Sequence, residues 1–160
     1  MFKHIGVVGA GLMGSEIALV FALAGRRVKL NDSDPKLLDE SVNRLERVLQ
    51  KGIDRELYAA DAIQVVLPRI QLCTTLKDYS DCDLVVEAVY EDERVKSNVF
   101  KELDRIVSDE CIIASNTSSI SITTLASQVS EVRRARFIGT HFFSPVSKMR
   151  LVEVIPGLDT

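Results

Sequence analysis

Short, almost uninterrupted apolar runs alternate with longer segments of helical periodicity along the whole chain. Runs of this kind are typical of strands that are buried on both faces, and the helical segments between them supply the crossovers of a parallel sheet. The pattern therefore predicts an α/β fold with a doubly wound, mostly parallel sheet. A length of 160 residues fits a single domain over residues 1–160.

The expected elements follow from these runs. Seven strands are expected, at 4–9, 27–32, 70–74, 83–89, 111–115, 136–142 and 151–155. Helices are expected at 12–25, 36–51, 55–67 and 121–129, and over the apolar stripe from Val95 to Val107. The first helix is expected to stop at Gly25, because glycine is a common residue just after a helix.

The composition argues against several classes of function. With 20 Lys and Arg against 23 Asp and Glu, the chain has no basic excess for binding nucleic acid. No apolar segment is long enough for insertion into a membrane. Cys73, Cys82 and Cys111 have no Cys or His at metal-ligand spacing, so no metal site is expected and the cysteines are predicted to be buried, reduced thiols of a cytoplasmic protein. The basic run 133–136 is expected to be a solvated loop.

The segment GAGLMG follows the first strand directly and opens the first helix. In such a G-x-G-x-x-G turn the glycines permit a tight turn and close approach to a pyrophosphate, and the helix N-terminus offers free N–H groups. An acid at the end of the second strand accepts hydrogen bonds from the ribose hydroxyls and repels a 2′-phosphate, which favours NAD over NADP. The pattern predicts a Rossmann-type NAD site formed by Gly9, Gly11, Leu12, Met13, Gly14 and Asp32.

Two histidines occur, and His4 precedes the first strand, at the edge of the sheet opposite the expected ligand. His141 is therefore the candidate acid or base, although a histidine in an apolar strand is often a satisfied core residue. Glu153 lies between valines in LVEVI, where a buried carboxylate needs a partner, and His141 is the expected one. A neighbouring carboxylate fixes the imidazole tautomer and raises its basicity, as alcohol oxidation beside a nicotinamide requires.

Four segments together resemble the L-3-hydroxyacyl-CoA dehydrogenase family, which includes 3-hydroxybutyryl-CoA dehydrogenases and the dehydrogenase part of multifunctional fatty-acid oxidation enzymes. They are GAGLMG, VVEAVYEDERVK, IIASNTSSISIT and GTHFFSPVSKMRLVEVI. The resemblance implies reversible, NAD-dependent oxidation of (S)-3-hydroxyacyl-CoA to 3-oxoacyl-CoA. It also implies that His141 is the base, that Glu153 is its partner and that Ser118 hydrogen-bonds the substrate oxygen near the nicotinamide. A turn or N-cap role is the alternative for Ser118.

The resemblance implies further cofactor contacts. Glu91 and Lys96 fall at the family's cofactor-contacting positions after the fourth strand. Ser144 stands near the nicotinamide amide, where family members often carry Asn. Three further acids of the turn after the fourth strand are expected to be solvated or to cap the next helix: Glu87, Asp92 and Glu93.

Arg44, Arg47 and Lys51 share one face of the 36–51 helix. The family places the nucleotide of CoA near such a helix, and a solvated basic face is the alternative. Family enzymes continue into an all-helical domain that builds a homodimer, covers the acyl group and supplies a catalytic Asn. The chain stops at Thr160, about where that domain begins in the family. Residues 1–160 alone are therefore expected to bind NAD but to turn over poorly.

Two other functions are weighed against this one. A non-enzymatic NAD-binding or crystallin-like structural protein of the same family has no need for the charged pair of His141 and Glu153. Other Rossmann dehydrogenases usually rely on a catalytic Lys or Cys, and no residue is placed for that role.

Overall fold

A seven-stranded sheet forms the centre of the computed structural model, which describes residues 2–160. The strands are β1 (His4–Val8), β2 (Arg27–Asn31), β3 (Ile70–Cys73), β4 (Leu84–Glu87), β5 (Ile112–Ser115), β6 (Phe137–Phe142) and β7 (Val152–Pro156). Their order is β3-β2-β1-β4-β5-β6-β7, with β7 antiparallel to β6 and all other neighbours parallel. The predicted α/β fold with a mostly parallel sheet is confirmed.

Six helices connect the strands. They are α1 (Leu12–Leu23), α2 (Pro35–Ile53), α3 (Ala62–Val66), α4 (Glu93–Ile106), α5 (Ile122–Ala126) and α6 (Glu131–Arg134), with 3-10 turns at Leu67–Arg69 and Leu76–Tyr79. The side chains of Asp34, Asp92 and Ser121 accept backbone N–H groups in the first turns of α2, α4 and α5, which is the usual N-cap arrangement. Within residues 2–160, no helix combines the length and the apolar composition needed to cross a bilayer.

Both faces of the sheet are covered by apolar layers. On one face, Ile17 of α1 and Leu45 of α2 pack with strand residues such as Leu30. On the other face, Phe100 of α4 packs edge-to-face against Phe137 of β6, with ring centroids 4.8 Å apart. Because each fully buried side chain of this size contributes about 1.5–3 kcal/mol, these layers fix the strands whose ends carry the site.

The predicted helix over 55–67 is wrong in its first half. Helix α2 runs two residues further than expected, to Ile53, and Glu56 then adopts a left-handed conformation with φ 57° that ends the helical path. Helix α3 covers only Ala62–Val66. The predicted stop of α1 is confirmed, since Gly25 has φ 81° and its N–H donates to the Ala22 carbonyl.

The prediction that the basic run 133–136 is solvated is wrong for Arg133, whose side chain is 2% exposed. Its guanidinium forms an ion pair with Asp104 on α4. It also donates to backbone carbonyls at and after the end of that helix: Val107, Ser108, Asp109 and Cys111. These carbonyls belong to the C-cap of α4 and the turn that follows it, where buried backbone groups need partners, and the arginine supplies donors to four of them.

The three cysteines are buried and free, as predicted. Burial raises the pKa of Cys73 and of Cys111 to about 11, and that of Cys82 to about 12. Among residues 2–160, no group of three or more His, Cys, Asp or Glu side chains is arranged to hold a metal ion.

Candidate active site

The loops that the sequence singles out meet at the carboxyl edge of the parallel strands. The glycine loop follows β1, Asp32 follows β2 and the turn to α4 follows β4. The segment 116–121 follows β5, and His141 lies near the end of β6. Open parallel sheets bind their ligands beyond this edge.

The glycine loop is shaped to receive a pyrophosphate. Gly9 has φ 103°, and a Cβ there would lie 2.5 Å from the Ala88 carbonyl oxygen. A Cβ on Gly14 would lie 1.8 Å from the Gly9 carbonyl oxygen, so this glycine lets α1 pack against the turn. Gly11 instead has no heavy atom within 4 Å of its would-be Cβ. It is the N-cap of α1 and offers no capping side chain, which leaves the first N–H groups of the helix for an anion.

Asp32 ties the glycine loop to the second strand. Its Oδ2 accepts the Ala10 N–H at 2.7 Å and its Oδ1 accepts the Asp34 N–H at 2.9 Å. Beside it lies a cleft of about 390 Å³. Its lining includes Gly9, Asn31, Asp32, Thr74, Val89, Tyr90 and Val95. A cleft of this size next to Asp32 is large enough for the adenosine half of a dinucleotide, and ribose binding by Asp32 stays a prediction.

His141 is held between a serine and a glutamate. Its Nε2 lies 3.1 Å from Ser118 Oγ, and its Nδ1 lies 2.8 Å from Glu153 Oε2. A proton on Nδ1 satisfies both contacts, because Nδ1–H then donates to Glu153 and the Ser118 hydroxyl donates to Nε2. The Phe143 ring lies 4.7 Å from the imidazole, and the Asn116 side chain accepts the N–H of Phe142 at 2.9 Å. These contacts orient Nε2 toward the carboxyl edge.

The predicted pairing of Glu153 with His141 is present, but the predicted burial of Glu153 is wrong. Its side chain is 52% exposed, against 21% for His141. The two residues lie directly opposite each other in the antiparallel β6–β7 ladder. Because β7 is the edge strand, its apolar neighbours do not enclose the carboxylate. The register of the β6–β7 ladder therefore brings the two side chains together, and the cost of burying a charge is not the reason for their contact.

Glu91 holds the segment that carries Ser118. Its Oε1 accepts the backbone N–H groups of Ser118 and Ser119 at 2.9 Å and 3.1 Å, and the hydroxyls of Thr117 and Ser119. Burial alone raises the pKa of this carboxyl, but the hydrogen bonds from Thr117 and Ser119 and the charge of Lys96 outweigh it and lower the pKa to about 2. Glu91 is therefore ionised at neutral pH.

Glu87 and Lys96 form a buried ion pair behind Glu91. Their side chains are 0% and 1% exposed, with Lys96 Nζ 2.7 Å from Glu87 Oε1. The prediction that Glu87 is solvated or a helix cap is wrong, since this last residue of β4 points into the interior. Lys96 also lies 3.2 Å from Glu91 Oε2. A direct contact of Lys96 with the cofactor stays a prediction, and the observed partners of its ammonium group are protein oxygens.

Comparison with known proteins adds the deciding observation. Residues 4–160 match the family described as 3-hydroxyacyl-CoA dehydrogenase, NAD binding domain. The chain belongs to this family.

Relatives and solved structures of this dehydrogenase family agree. A probable 3-hydroxybutyryl-CoA dehydrogenase of Deinococcus radiodurans is 47% identical over 155 residues, which cover 97% of this chain and 55% of that protein. The fatty acid oxidation complex subunit alpha of Psychrobacter cryohalolentis is 41% identical over 151 residues, covering 94% of this chain and 21% of that protein. The crystal structure of (S)-3-hydroxybutyryl-CoA dehydrogenase PaaH1 from Ralstonia eutropha matches with a TM-score of 0.95 at 40% identity, covering 100% of this chain and 56% of that chain.

The resemblance to the 3-hydroxyacyl-CoA dehydrogenases is thus confirmed, and so is NAD as the cofactor of this domain. The glycine cradle, the free N-terminus of α1 and Asp32 are the features of the chain that fit NAD. The chain spans about half the length of the 3-hydroxybutyryl-CoA dehydrogenases that it matches.

The remaining predicted site residues have no hydrogen bond to His141 among the described residues. Ser144 is exposed in the loop after β6. Arg44 donates to the Ala10 carbonyl at 3.2 Å and to Ser15 Oγ at 3.0 Å, which ties α2 to the glycine loop. Lys51 lines a separate cavity of about 490 Å³ together with Tyr58 and Lys148. Arg47 is exposed and donates to the Asn43 carbonyl of its own helix.

Several residues of the site are absent from the sequence-based prediction. They are Ser115, Asn116, Thr117, Ser119 and Glu87. A signal for four of them is present, because the polar run SNTSS directly follows an apolar strand, where parallel sheets place their ligand contacts. For Glu87 the signal is an acid that directly follows three apolar residues in a fully buried strand.

Proposed function

We propose that this chain is the NAD-binding and proton-transferring part of an enzyme that oxidises (S)-3-hydroxyacyl-CoA to 3-oxoacyl-CoA reversibly. The observation that carries the proposal is the chain of contacts from Ser118 to His141 to Glu153, at the sheet edge that also holds the glycine loop. Relatives named 3-hydroxybutyryl-CoA dehydrogenase and fatty acid oxidation complex subunit alpha support this substrate class.

The geometry supports a base role for His141. With the Nδ1 proton directed at Glu153, Nε2 carries no proton, so it can accept the proton of a substrate hydroxyl once that hydroxyl replaces Ser118 as its donor. Ser118 Oγ lies 3.1 Å from Nε2. A substrate oxygen that binds next to Nε2 would therefore also be within hydrogen-bonding reach of Ser118. NAD, when bound, supplies the hydride acceptor for such an oxidation. Glu153 then stabilises the imidazolium that forms when His141 takes the proton. General-base help of this kind contributes roughly 10²–10⁴ in rate.

The substrate's CoA is proposed to lie along α2. The cavity beside Lys51 also contains Arg55 and Lys148, so three cationic side chains are available for the phosphates of CoA. Arg44 is close to the glycine loop and already has two acceptors, and we propose that it contributes to CoA binding from that position. Ser144 is proposed to contact the nicotinamide amide from the loop after β6.

The relatives are nearly twice as long as this chain, which supports a proposal about the complete protein. We propose a cytoplasmic homodimer, formed through a C-terminal all-helical domain that covers the acyl group. Residues 1–160 alone are then expected to bind NAD with little turnover. Rapid oxidation of a 3-hydroxyacyl-CoA by purified residues 1–160 would contradict this arrangement.

The test compares the two histidines. NADH formation from 3-hydroxybutyryl-CoA is measured with the full-length protein as wild type, His141→Gln and His4→Gln. His4 is the matched control, because it lies at the opposite edge of the sheet in contact with Asp81. We expect His141→Gln to lower kcat by roughly 10²–10⁴ and to leave the Kd for NAD unchanged. Equal rates for wild type and His141→Gln remove the base assignment, and no activity in any of the three favours a structural protein.

A further inference from the structure

The buried ion pair of Glu87 and Lys96 has no part in the proton transfer described above. A charge taken out of water is costly unless its partners satisfy it completely, and two charges on fully buried side chains are uncommon outside functional regions. Both residues lie beside the site, Glu87 at the end of β4 and Lys96 in the first turns of α4.

Glu87 is fully satisfied by groups of three neighbouring segments. Its Oε1 accepts the Val89 N–H and the Lys96 ammonium, both at 2.7 Å. Its Oε2 accepts the Ser115 hydroxyl at 2.6 Å, and the Ser115 oxygen in turn accepts the Thr117 N–H at 3.2 Å. Glu87 therefore fixes the end of β5 as well as its own strand.

Lys96 has used its donors within the protein. An ammonium group has three N–H bonds, and three acceptors surround this one. They are Glu87 Oε1 at 2.7 Å, Glu91 Oε2 at 3.2 Å and the Val89 carbonyl at 3.4 Å. With a side chain 1% exposed, Lys96 faces Glu91 from behind and leaves the other carboxylate oxygen, Oε1, for the segment 117–119.

Each step from the interior to the imidazole is a direct contact. Lys96 connects Glu87 to Glu91, and Glu91 binds the backbone of Ser118. The Ser118 hydroxyl then meets Nε2 of His141 at 3.1 Å. Lys96 therefore holds one oxygen of Glu91 while the other oxygen accepts from the segment 117–119.

We propose that Glu87 and Lys96 are positioning residues, which hold Glu91 so that Ser118 is aligned with His141. This inference rests on the proposed function for its catalytic meaning, but the alignment itself is a property of the domain alone. This role is separate from the predicted contact of Lys96 with the cofactor, and it acts through Glu91 and Ser118. A pair that only stabilises the fold predicts a loss of stability with no specific effect at the imidazole.

The first experiment reads the imidazole directly. The chain has only two histidines, so nitrogen-15 labelling of histidine gives two imidazole spectra, one from His141 and one from His4 as an internal reference. The variants are Glu91→Gln, and Glu87→Gln combined with Lys96→Met, which removes both buried charges together and leaves neither unpaired. Lys101→Met, on the exposed face of the same helix, is the control.

We expect the Nε2 and Nδ1 shifts of His141 to change in both test variants while those of His4 stay in place, and neither ring to change in Lys101→Met. An unchanged His141 in the folded double variant overturns the proposal. If the double variant unfolds, both rings move to their denatured shifts together, and Glu91→Gln then decides: an unchanged His141 in that variant overturns the proposal as well.

The second experiment separates positioning from the proposed activity. In the full-length protein at saturating NAD, we expect the double variant to lower kcat by roughly 10–10² while KM for 3-hydroxybutyryl-CoA changes less than about threefold, because a misplaced group costs rate more than binding. A loss confined to KM contradicts a positioning role. If the wild type itself has no activity, the proposed function fails, and the histidine spectra still test the alignment.

Discussion

Gly11 and Gly14 belong to one motif, but the structure gives them different tasks, and replacing each by alanine separates these tasks. Gly14 is required by packing within the protein, whereas Gly11 faces open space at the start of α1. We therefore expect Gly14→Ala to lower stability and Gly11→Ala to lower NAD affinity with stability preserved.

The cost at Gly14 follows from one distance. A Cβ there would lie 1.8 Å from the Gly9 carbonyl oxygen, about half of an ordinary nonbonded separation. Gly9 cannot easily move away from the new methyl group. Its N–H donates to the Asn31 carbonyl at 2.8 Å, and its Cα packs closely against the backbone of Ala88. Helix α1 must shift away from β1 instead. Overpacking of this kind typically costs 1–3 kcal/mol, and with a backbone atom as the obstacle we expect about 3 kcal/mol.

Gly11→Ala should change the free energy of unfolding of the apo protein very little. Its φ of −62° suits alanine, and no heavy atom lies within 4 Å of the new methyl group. A weaker N-cap costs roughly 0.5–1 kcal/mol, and the stiffer unfolded chain offsets about 0.4–1 kcal/mol. In the predicted binding mode, the methyl group would occupy the space where a pyrophosphate approaches the backbone. We expect the Kd for NADH to rise at least about tenfold, or about 1.4 kcal/mol.

Urea unfolding followed by circular dichroism measures stability, and a titration followed by the change in NADH fluorescence on binding measures affinity. The reasoning is refuted if Gly14→Ala is as stable as the wild type, or if Gly11→Ala binds NADH as tightly as the wild type does.

Three further results are expected. Because burial raises the pKa of Cys73, Cys82 and Cys111, Ellman's reagent at pH 8 should modify none of them in the native chain and all three in urea; rapid native labelling of any one contradicts this. Arg133→Met should lower the free energy of unfolding by about 3 kcal/mol in urea melts, because it leaves buried carbonyls without their donor and removes the cation that pairs with Asp104; a change under 0.5 kcal/mol contradicts it. The pKa of Glu91 lies below its usual 4.5, at about 2, so its ionised form stabilises the fold above pH 4.5 and this contribution disappears as the pH falls toward 2. With the carboxylate two-fifths exposed, urea melts should give the wild type roughly 1–2 kcal/mol over Glu91→Gln at pH 6 and much less at pH 2.5; an unchanged difference contradicts the assignment.

The fold was predictable because each strand carries its own apolar run, and local periodicity reports such runs well. The region 54–61 was not predictable in the same way. Its residues have acceptable helix propensities, but Glu56 adopts a left-handed backbone conformation. A glutamate side chain gives no signal for that conformation. The prediction that Arg133 is solvated was wrong for a related reason. Its burial depends on carbonyls more than twenty residues earlier in the chain.

For the site, sequence reasoning found the residues whose chemistry is unusual and missed those that support them. His141 and Glu153 stand out by type, although the burial argument for Glu153 was wrong since β7 is an edge strand. The contacts of Glu91 with the segment 117–119 depend on how the ends of β4 and β5 approach each other. Periodicity does not report the distance between two such ends, so hydroxyls in that segment read as ordinary turn residues.

The opposition of His141 and Glu153 across β6 and β7 has a consequence for insertions and deletions. The connection between these strands, 143–151, can gain or lose residues without separating the pair, provided that the ladder re-forms in the same register. A slip of the β6–β7 pairing by one residue would instead turn the carboxylate to the opposite face of the sheet. The contact between His141 and Glu153 should therefore survive a longer connection. A register slip of one residue between β6 and β7 should remove it.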